Sequence, residues 1–155
     1  MEEGKDMVAG DNKKMKAALK AGDINTASLL TVFKYKPGTN TTEFNPSIMM
    51  VAENLKNVPG VKSGDVYLAQ SRKLMMAGEM QYDHIDDVFA KKEINGWEFY
   101  TMNVTATFNG TAVKQVYLAT VKDGFAIGLI YSFADDAQKA NLEKWINTFD
   151  YYKKK

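Results

Sequence analysis

Residues 93–127, EINGWEFYTMNVTATFNGTAVKQVYLATVKDGFAI, decide how this chain folds. They hold three glycine turns, Asn95-Gly96, Asn109-Gly110 and Asp123-Gly124, each fourteen residues after the one before. Asn-Gly and Asp-Gly accept the positive φ angles of a two-residue type I′ hairpin, so the turns frame four antiparallel strands in one meander, from about residue 85 to residue 133. Two-residue loops also fix pairing: Met102 is set opposite Tyr117, and Tyr117 opposite Ile130. That face holds Tyr100, Val104, Phe108, Val113, Ala119 and Val121 as well. The reverse face holds Trp97, Phe99, Val116, Leu118, Ile127, Leu129, Tyr131 and Phe133. Both faces are apolar, which predicts layers over both sides of the sheet.

Outward from the meander, Asp135 is placed to cap a closing helix, with Gln138 at the reciprocal position and Leu142, Trp145, Ile146 and Phe149 as its buried stripe. Upstream, Ser63 caps a helix that runs to Ala77 and stops at Gly78, with Tyr67, Leu68, Ser71, Leu74 and Met75 on one side. Residues 27–36, β-branched and aromatic up to the Pro37-Gly38 turn, read as a strand. Residues 47–54, with Ile48, Met49, Met50 and Val51 in sequence, read as a second strand buried on both faces. Residues 11–21 read as a short helix, with Asp11 as N-cap, Met15, Ala18 and Leu19 on one stripe, Lys13, Lys14, Lys16 and Lys20 on the other, and Gly22 as its end.

The expected fold is α+β: an antiparallel sheet of about six strands including the four-stranded meander, with helices covering both faces in an α/β/α sandwich. Residues 27–152 form the single domain, residues 1–26 a helical segment packing on it, and residues 153–155 a disordered basic tail. A chain of 155 residues, 45% hydrophobic and 25% charged, has the size and balance to bury one proper core. With 20 Lys+Arg against 19 Asp+Glu, no large field draws it to nucleic acid or an anionic membrane. The absence of cysteine removes disulfides, thiolate metal sites and cysteine nucleophiles. No run approaches the ~20 apolar residues of a membrane helix. The opening Met1-Glu2-Glu3-Gly4 is too polar for a signal peptide, yet Met1 is also compatible with a start that replaces a removed export signal or lipid anchor.

Helix, two strands, helix, meander and closing helix together resemble the PsbP-like fold. The residues that carry the likeness are Phe44-Asn45-Pro46-Ser47-Ile48, Glu93-Ile94-Asn95-Gly96-Trp97-Glu98-Phe99, and Gln115-Val116-Tyr117-Leu118-Ala119 followed by Gly124-Phe125-Ala126-Ile127. That family includes extrinsic photosystem subunits, a Ran-binding nuclear import factor, and bacterial exported or lipid-anchored proteins of unassigned role. The resemblance spans roughly residues 27–150 and leans toward the bacterial exported branch through its Asn-Pro-x-Ile segment. It implies a fold and an exported location, periplasmic or membrane-anchored, where the native N-terminus was truncated. It transfers no catalytic residue.

Chemistry has few carriers. The only histidine, His84, stands in Tyr82-Asp83-His84-Ile85-Asp86-Asp87, and on a loop Asp83, His84, Asp86 and Asp87 offer oxygen and nitrogen donors for manganese, zinc or calcium. On a strand, His84 and Asp86 share one face and the other two point away. A solvated acidic approach to the meander is the plainer reading. No Gly-x-Ser-x-Gly elbow, Gly-x-Gly-x-x-Gly or Walker loop is present. Asn40, Asn103 and Asn109 begin glycosylation-type triplets of a common chance pattern. Met49-Met50 and Met75-Met76 suit an adaptable groove or plain core filling.

The reading that follows is a non-catalytic binding or accessory domain without a cofactor, its partner a protein or a small apolar ligand. The expected cleft lies between the Tyr67/Met75 helix and the sheet, near Phe44 and Asn45 in the polar 39–46 loop. Two rivals stand beside it: a metal-dependent hydrolase or metal binder using Asp83, His84, Asp86 and Asp87, and an electrostatic adaptor using Lys13, Lys14, Lys16 and Lys20.

Overall fold

A computed structural model describes residues 26–150 of the chain. The expected helix over 11–21 with its lysines, and the basic tail at 153–155, lie outside the described residues. The elements run β1 (Thr26–Phe33), β2 (Ser47–Asn54), α1 (Gly64–Ala77), β3 (His84–Ile85), β4 (Ala90–Ile94), β5 (Trp97–Phe108), β6 (Thr111–Lys122), β7 (Phe125–Phe133) and α2 (Asp136–Ile146). The fold is α+β, with seven strands rather than about six in one open antiparallel sheet, ordered β1-β2-β7-β6-β5-β3, with β4 also paired to β5.

The meander forms as the turns dictate. Asn95, Asn109 and Asp123 take φ of 49°, 49° and 51°, and Gly96, Gly110 and Gly124 take 83°, 78° and 79°, the paired left-handed conformations of a type I′ turn. Met102 lies opposite Tyr117, and Tyr117 opposite Ile130. The first strand of the meander is broken in two. β3 and β4 lie along the same side of β5, His84 opposite Thr105 and Ala90 opposite Thr101, with a bend between them. There the Asp86 amide donates to the carbonyl of Asn103 at 3.0 Å.

Because strand residues alternate between faces, the sheet feeds separate clusters on its two sides. Phe99, Val116, Leu118, Leu129, Tyr131 and Phe133 join Ile48, Ile94, and Leu142 and Ile146 of α2. Met102, Val104 and Ala119 join Leu68 of α1, with Tyr67, Met75, Tyr82, Ile85, Phe89, Tyr100 and Tyr117 packed around them. Gly64 lets α1 settle closely: a β-carbon there would meet the Ala119 carbonyl oxygen at 2.1 Å. Helical cover is incomplete, however. Every residue of β1 is exposed, and β2, expected to be buried on both faces, buries only Ile48. β1 lies at the edge of the sheet with nothing packed outside it among the described residues, and its ladder carries a bulge at Leu29, between the pairs Ser28–Val51 and Leu30–Met50.

The caps differ in kind. Asp135 accepts from the amide of Gln138 at 2.8 Å, and the Gln138 side chain accepts from the Ala134 amide at 2.8 Å, a reciprocal pair that closes the start of α2. Ser63 occupies the N-cap of α1, but its hydroxyl donates to the Asp65 carboxylate and accepts no backbone hydrogen bond. Trp145, expected within the buried stripe of α2, is 68% exposed. It sits at the flank of the stripe, one residue before Ile146, where the sheet beneath has reached its thinly covered β1–β2 side.

Candidate functional site

The acidic cluster resolves into structural bonds. β3 places His84 and Asp86 two residues apart, and His84 Nε2 lies 2.7 Å from Asp86 Oδ1. The other Asp86 oxygen accepts from the amide and from the side chain of Asn103, at 2.8 and 2.7 Å. Burial opposes ionisation of Asp86, but these amide donors and the imidazole outweigh it and hold its pKa below the usual carboxylate value. Asp83 faces elsewhere and accepts from the Thr107 hydroxyl at 2.8 Å. Asp87 is exposed in the bend beyond. Among the described residues, no group of three or more His, Asp or Glu side chains is arranged to hold a metal ion. The four residues of the rival metal reading are therefore not brought together. Asp83 and Asp86 fix the β3 segment to β5.

The expected cleft is also divided. Tyr67 and Met75 pack into the α1 cluster, and the Tyr67 hydroxyl donates to Glu53 at 2.8 Å. Burial first, and then Glu53, push its pKa far upward. Asn45 instead closes the 39–46 loop onto the end of β1, accepting from the Tyr35 amide and donating to the Tyr35 carbonyl, both at 2.9 Å. The Phe44 carbonyl accepts from the Gln138 side chain at 3.3 Å. Loop and helix thus meet the sheet in different places.

What the fold leaves open is apolar. Leu30 pairs with Met50 and Val32 with Ile48, so these β1 side chains share the face on which α2 packs. Two hollows lie along that face. One, of about 310 Å³, is bounded by Val32, Pro46, Ile48, Leu142 and Trp145. The other, of about 320 Å³, is bounded by Leu29, Met50, Trp97, Phe125, Ile127 and Phe149. Leu29 is 53% exposed and Leu30 50%, although strand side chains of this kind are usually covered. Trp97 and Phe149 wall the second hollow, their rings and that of the buried Phe99 lying 6.0–6.4 Å apart, and Lys122 lies over the Trp97 ring at 4.5 Å. The sequence offered one signal for this site, the apolar character of Leu29, Leu30, Val32 and Phe33, interrupted only by Thr31. Nothing local said that the strand would stand at the edge.

A larger hollow of about 580 Å³ opens beside the first turn of α1, lined by Lys62, Ser63, Asn95, Glu98, Lys122 and Asp150 among others. It is a wide polar dish of mixed charge. Glu98 is drawn to Lys91 at 3.0 Å, and the Asn95 side chain donates to the carbonyls of Asn147 and Phe149 at 3.0 and 2.6 Å. Its polar groups brace the fold rather than converge on one point. Arg72, which sequence reasoning passed over, keeps its Nε buried without a hydrogen-bond partner among the described residues.

No protein-family description matches the chain, and no curated protein matches it in sequence. Among solved structures, the chain is similar to the Pseudomonas aeruginosa protein PA94, whose function is unknown. The alignment covers 81% of this chain and 85% of that one, with 8% identity and a TM-score of 0.54. LpqN of Mycobacterium tuberculosis, involved in cell envelope biogenesis, aligns over 81% of this chain and 75% of its own, with 12% identity and a TM-score of 0.45. Likeness at such low identity concerns the fold alone. No helix among the described residues is long and apolar enough to cross a membrane.

Proposed function

We propose that the chain is a non-catalytic binding or accessory domain whose working surface is the apolar trough along β1, on the side of α2. One observation carries the proposal. Of the polar groups best suited to chemistry, Asp83 and Asp86 are engaged in tying the β3 segment to β5 and His84 is paired with Asp86, while an apolar surface at Leu29, Leu30, Val32 and Trp145 is left exposed. Exposed apolar surface of this kind marks a binding function more often than a catalytic one. The two hollows fall at the lower end of the usual small-ligand range of ~300–1,000 Å³, and their lining suits an acyl chain or a similarly slender apolar ligand. The resemblance to the bacterial exported branch of the PsbP-like fold supports a location outside the cytoplasm, where such ligands occur in membranes and envelope lipids.

The test uses a fatty-acid fluorophore as probe. The full chain binds it saturably with one molecule per chain. A Val32→Asp, Trp145→Asp double variant, altered at two exposed positions and checked for native circular dichroism, binds at least tenfold more weakly. Absence of saturable binding in the wild type, or equal binding by the variant, refutes the proposal.

A further inference from the structure

Among the described residues, Arg72 is the one side chain that keeps a buried nitrogen without a hydrogen-bond partner. An arginine stays charged throughout the working pH range, and a buried polar group left unanswered is rare enough to need a reason. The acids in its neighbourhood are engaged elsewhere. Asp83 accepts from the Thr107 hydroxyl, and Asp86 holds Asn103 and His84.

A hollow of about 390 Å³ opens at Arg72. α1 supplies one wall: Arg72 and Met76 stand four residues apart, neighbours on one helix face, and Met80 follows just past the Gly78 stop. The approach to β3 supplies the other wall, through Tyr82 and Ile85. This second wall is fixed, because the Asp83 amide donates to the Thr105 carbonyl at 2.8 Å and both side chains pack on the cluster of Leu68, Met102 and Val104. The first wall is adaptable. Met76 is 61% exposed, and a thioether side chain re-packs readily around an apolar or aromatic group.

We propose that this hollow binds a small organic acid, its single carboxylate on Arg72 and its aromatic or branched body between Met76, Met80, Tyr82 and Ile85. A guanidinium matches a carboxylate in charge and in the spacing of its donors. Apolar walls with one or two placed polar groups are the usual make-up of a small-molecule site, and the volume falls in the usual range of ~300–1,000 Å³. Asp83 also lines the hollow, so a doubly charged phosphate meets repulsion that a singly charged head largely escapes. The site lies on the α1 side of the sheet, across from the trough beside α2, and does not depend on what the trough binds.

Phenylacetate is the probe, followed on the full chain by amide chemical shifts and by calorimetry. It should bind saturably, one molecule per chain, and shift the amides of Met76 and Ile85. Phenylacetamide, with the same body and no charge, should bind the wild type at least tenfold more weakly. Arg72→Gln, checked for native circular dichroism, should also lose tenfold or more, and Arg72→Lys at least threefold. The Val32→Asp, Trp145→Asp double variant should bind phenylacetate as the wild type does, so failure here and failure of the trough reading are told apart. No saturable binding, equal binding of phenylacetamide, or an Arg72→Gln protein that binds normally overturns the inference. So does inorganic phosphate binding as tightly as phenylacetate, which would mean a bare anion site. An acetylated peptide ending in phenylalanine that binds tenfold more tightly than phenylacetate overturns it as well, in favour of a protein tail.

Discussion

Replacing Gly64 with alanine separates this fold from any arrangement in which α1 sits loosely. Gly64 opens α1 with an ordinary backbone, outside the left-handed region. On local grounds alone, alanine there should stabilise the protein by a few tenths up to about 1 kcal/mol, through helix propensity and a less disordered unfolded chain. The tertiary structure reverses that sign. The added β-carbon would meet the Ala119 carbonyl oxygen at 2.1 Å, its carbon at 2.8 Å and the Tyr100 ring at 3.1 Å, where ordinary contact begins at 3.4 Å. The opposing atoms are backbone of β6, which is paired on both sides, Ala119 to Tyr100 and to Gly128, and cannot give way. The first turn of α1 has to lift by more than an ångström, loosening Leu68 from Met102 and Val104. Overpacking costs about 1–3 kcal/mol, and the rigid neighbour sets the expectation near the top of that range. For a domain of this size about 3 kcal/mol lowers Tm by roughly 6–12 °C. Thermal and urea unfolding followed by circular dichroism measure it. Gly60→Ala, which meets nothing within 4 Å, is the control and should be neutral or slightly stabilising. A Gly64→Ala protein as stable as the wild type would show that α1 does not lie against β6 as described.

Three further outcomes are expected. Asn95→Gly keeps the left-handed turn but removes the donor to the Asn147 and Phe149 carbonyls. It should cost at least about 1 kcal/mol more than Asn109→Gly in urea unfolding, and equal costs would refute the tether. His84→Ala should leave fluorophore binding unchanged, and calorimetric titration with manganese, zinc or calcium should show no site tighter than micromolar; a tight site lost in the variant would restore the metal reading. Burial raises the phenol pKa of Tyr67, Tyr117 and Tyr131 well above the ordinary value. Their contribution to stability is therefore complete below about pH 10 and is lost as pH climbs past it toward their folded values. Absorbance at 295 nm should show these phenols ionising only as the fold is lost, and ionisation with native circular dichroism intact would contradict their burial.

The parts of the fold legible in the sequence are those encoded locally. Asn95-Gly96, Asn109-Gly110 and Asp123-Gly124 state their own backbone angles, and a two-residue loop leaves one register for its strands, so the Met102–Tyr117–Ile130 row follows from counting. The Asp135–Gln138 cap is equally local. What stayed hidden depends on neighbours far along the chain. Residues 47–54 look like a core strand because Ile48, Met49, Met50 and Val51 follow one another, but burial depends on what lies outside β1, and no residue within the strand records that. The bulge at Leu29 shifts the alternation of β1 by one and so sends Leu30 and Val32 toward α2. Trp145 belongs to the helical stripe by spacing and ends up open because the sheet under it runs out. The acidic residues around His84 leave a ligand reading open beside the plainer solvated one while their strand is unplaced. Once β3 lies on β5, Asn103 and Thr107 take up the carboxylates. Of the residues expected around the cleft, Asn45 bonds to Tyr35 and the Phe44 carbonyl to Gln138, partners ten and ninety-four residues away that no local pattern records.

The order of the strands also bears on how the chain acquires its shape. β4 through β7 are joined by tight reversals, so each closes on its predecessor across only a few residues, a cheap step that rewards itself at once. β2 pairs with β7, Asn54 opposite Phe125, across the whole intervening helix and meander, and β1 hangs on β2. The rate-limiting barrier should therefore be crossed with the three hairpins largely formed and the first two strands still unattached. Substitutions at Val116 or Leu118 then slow refolding, whereas one at Met50 chiefly hastens unfolding.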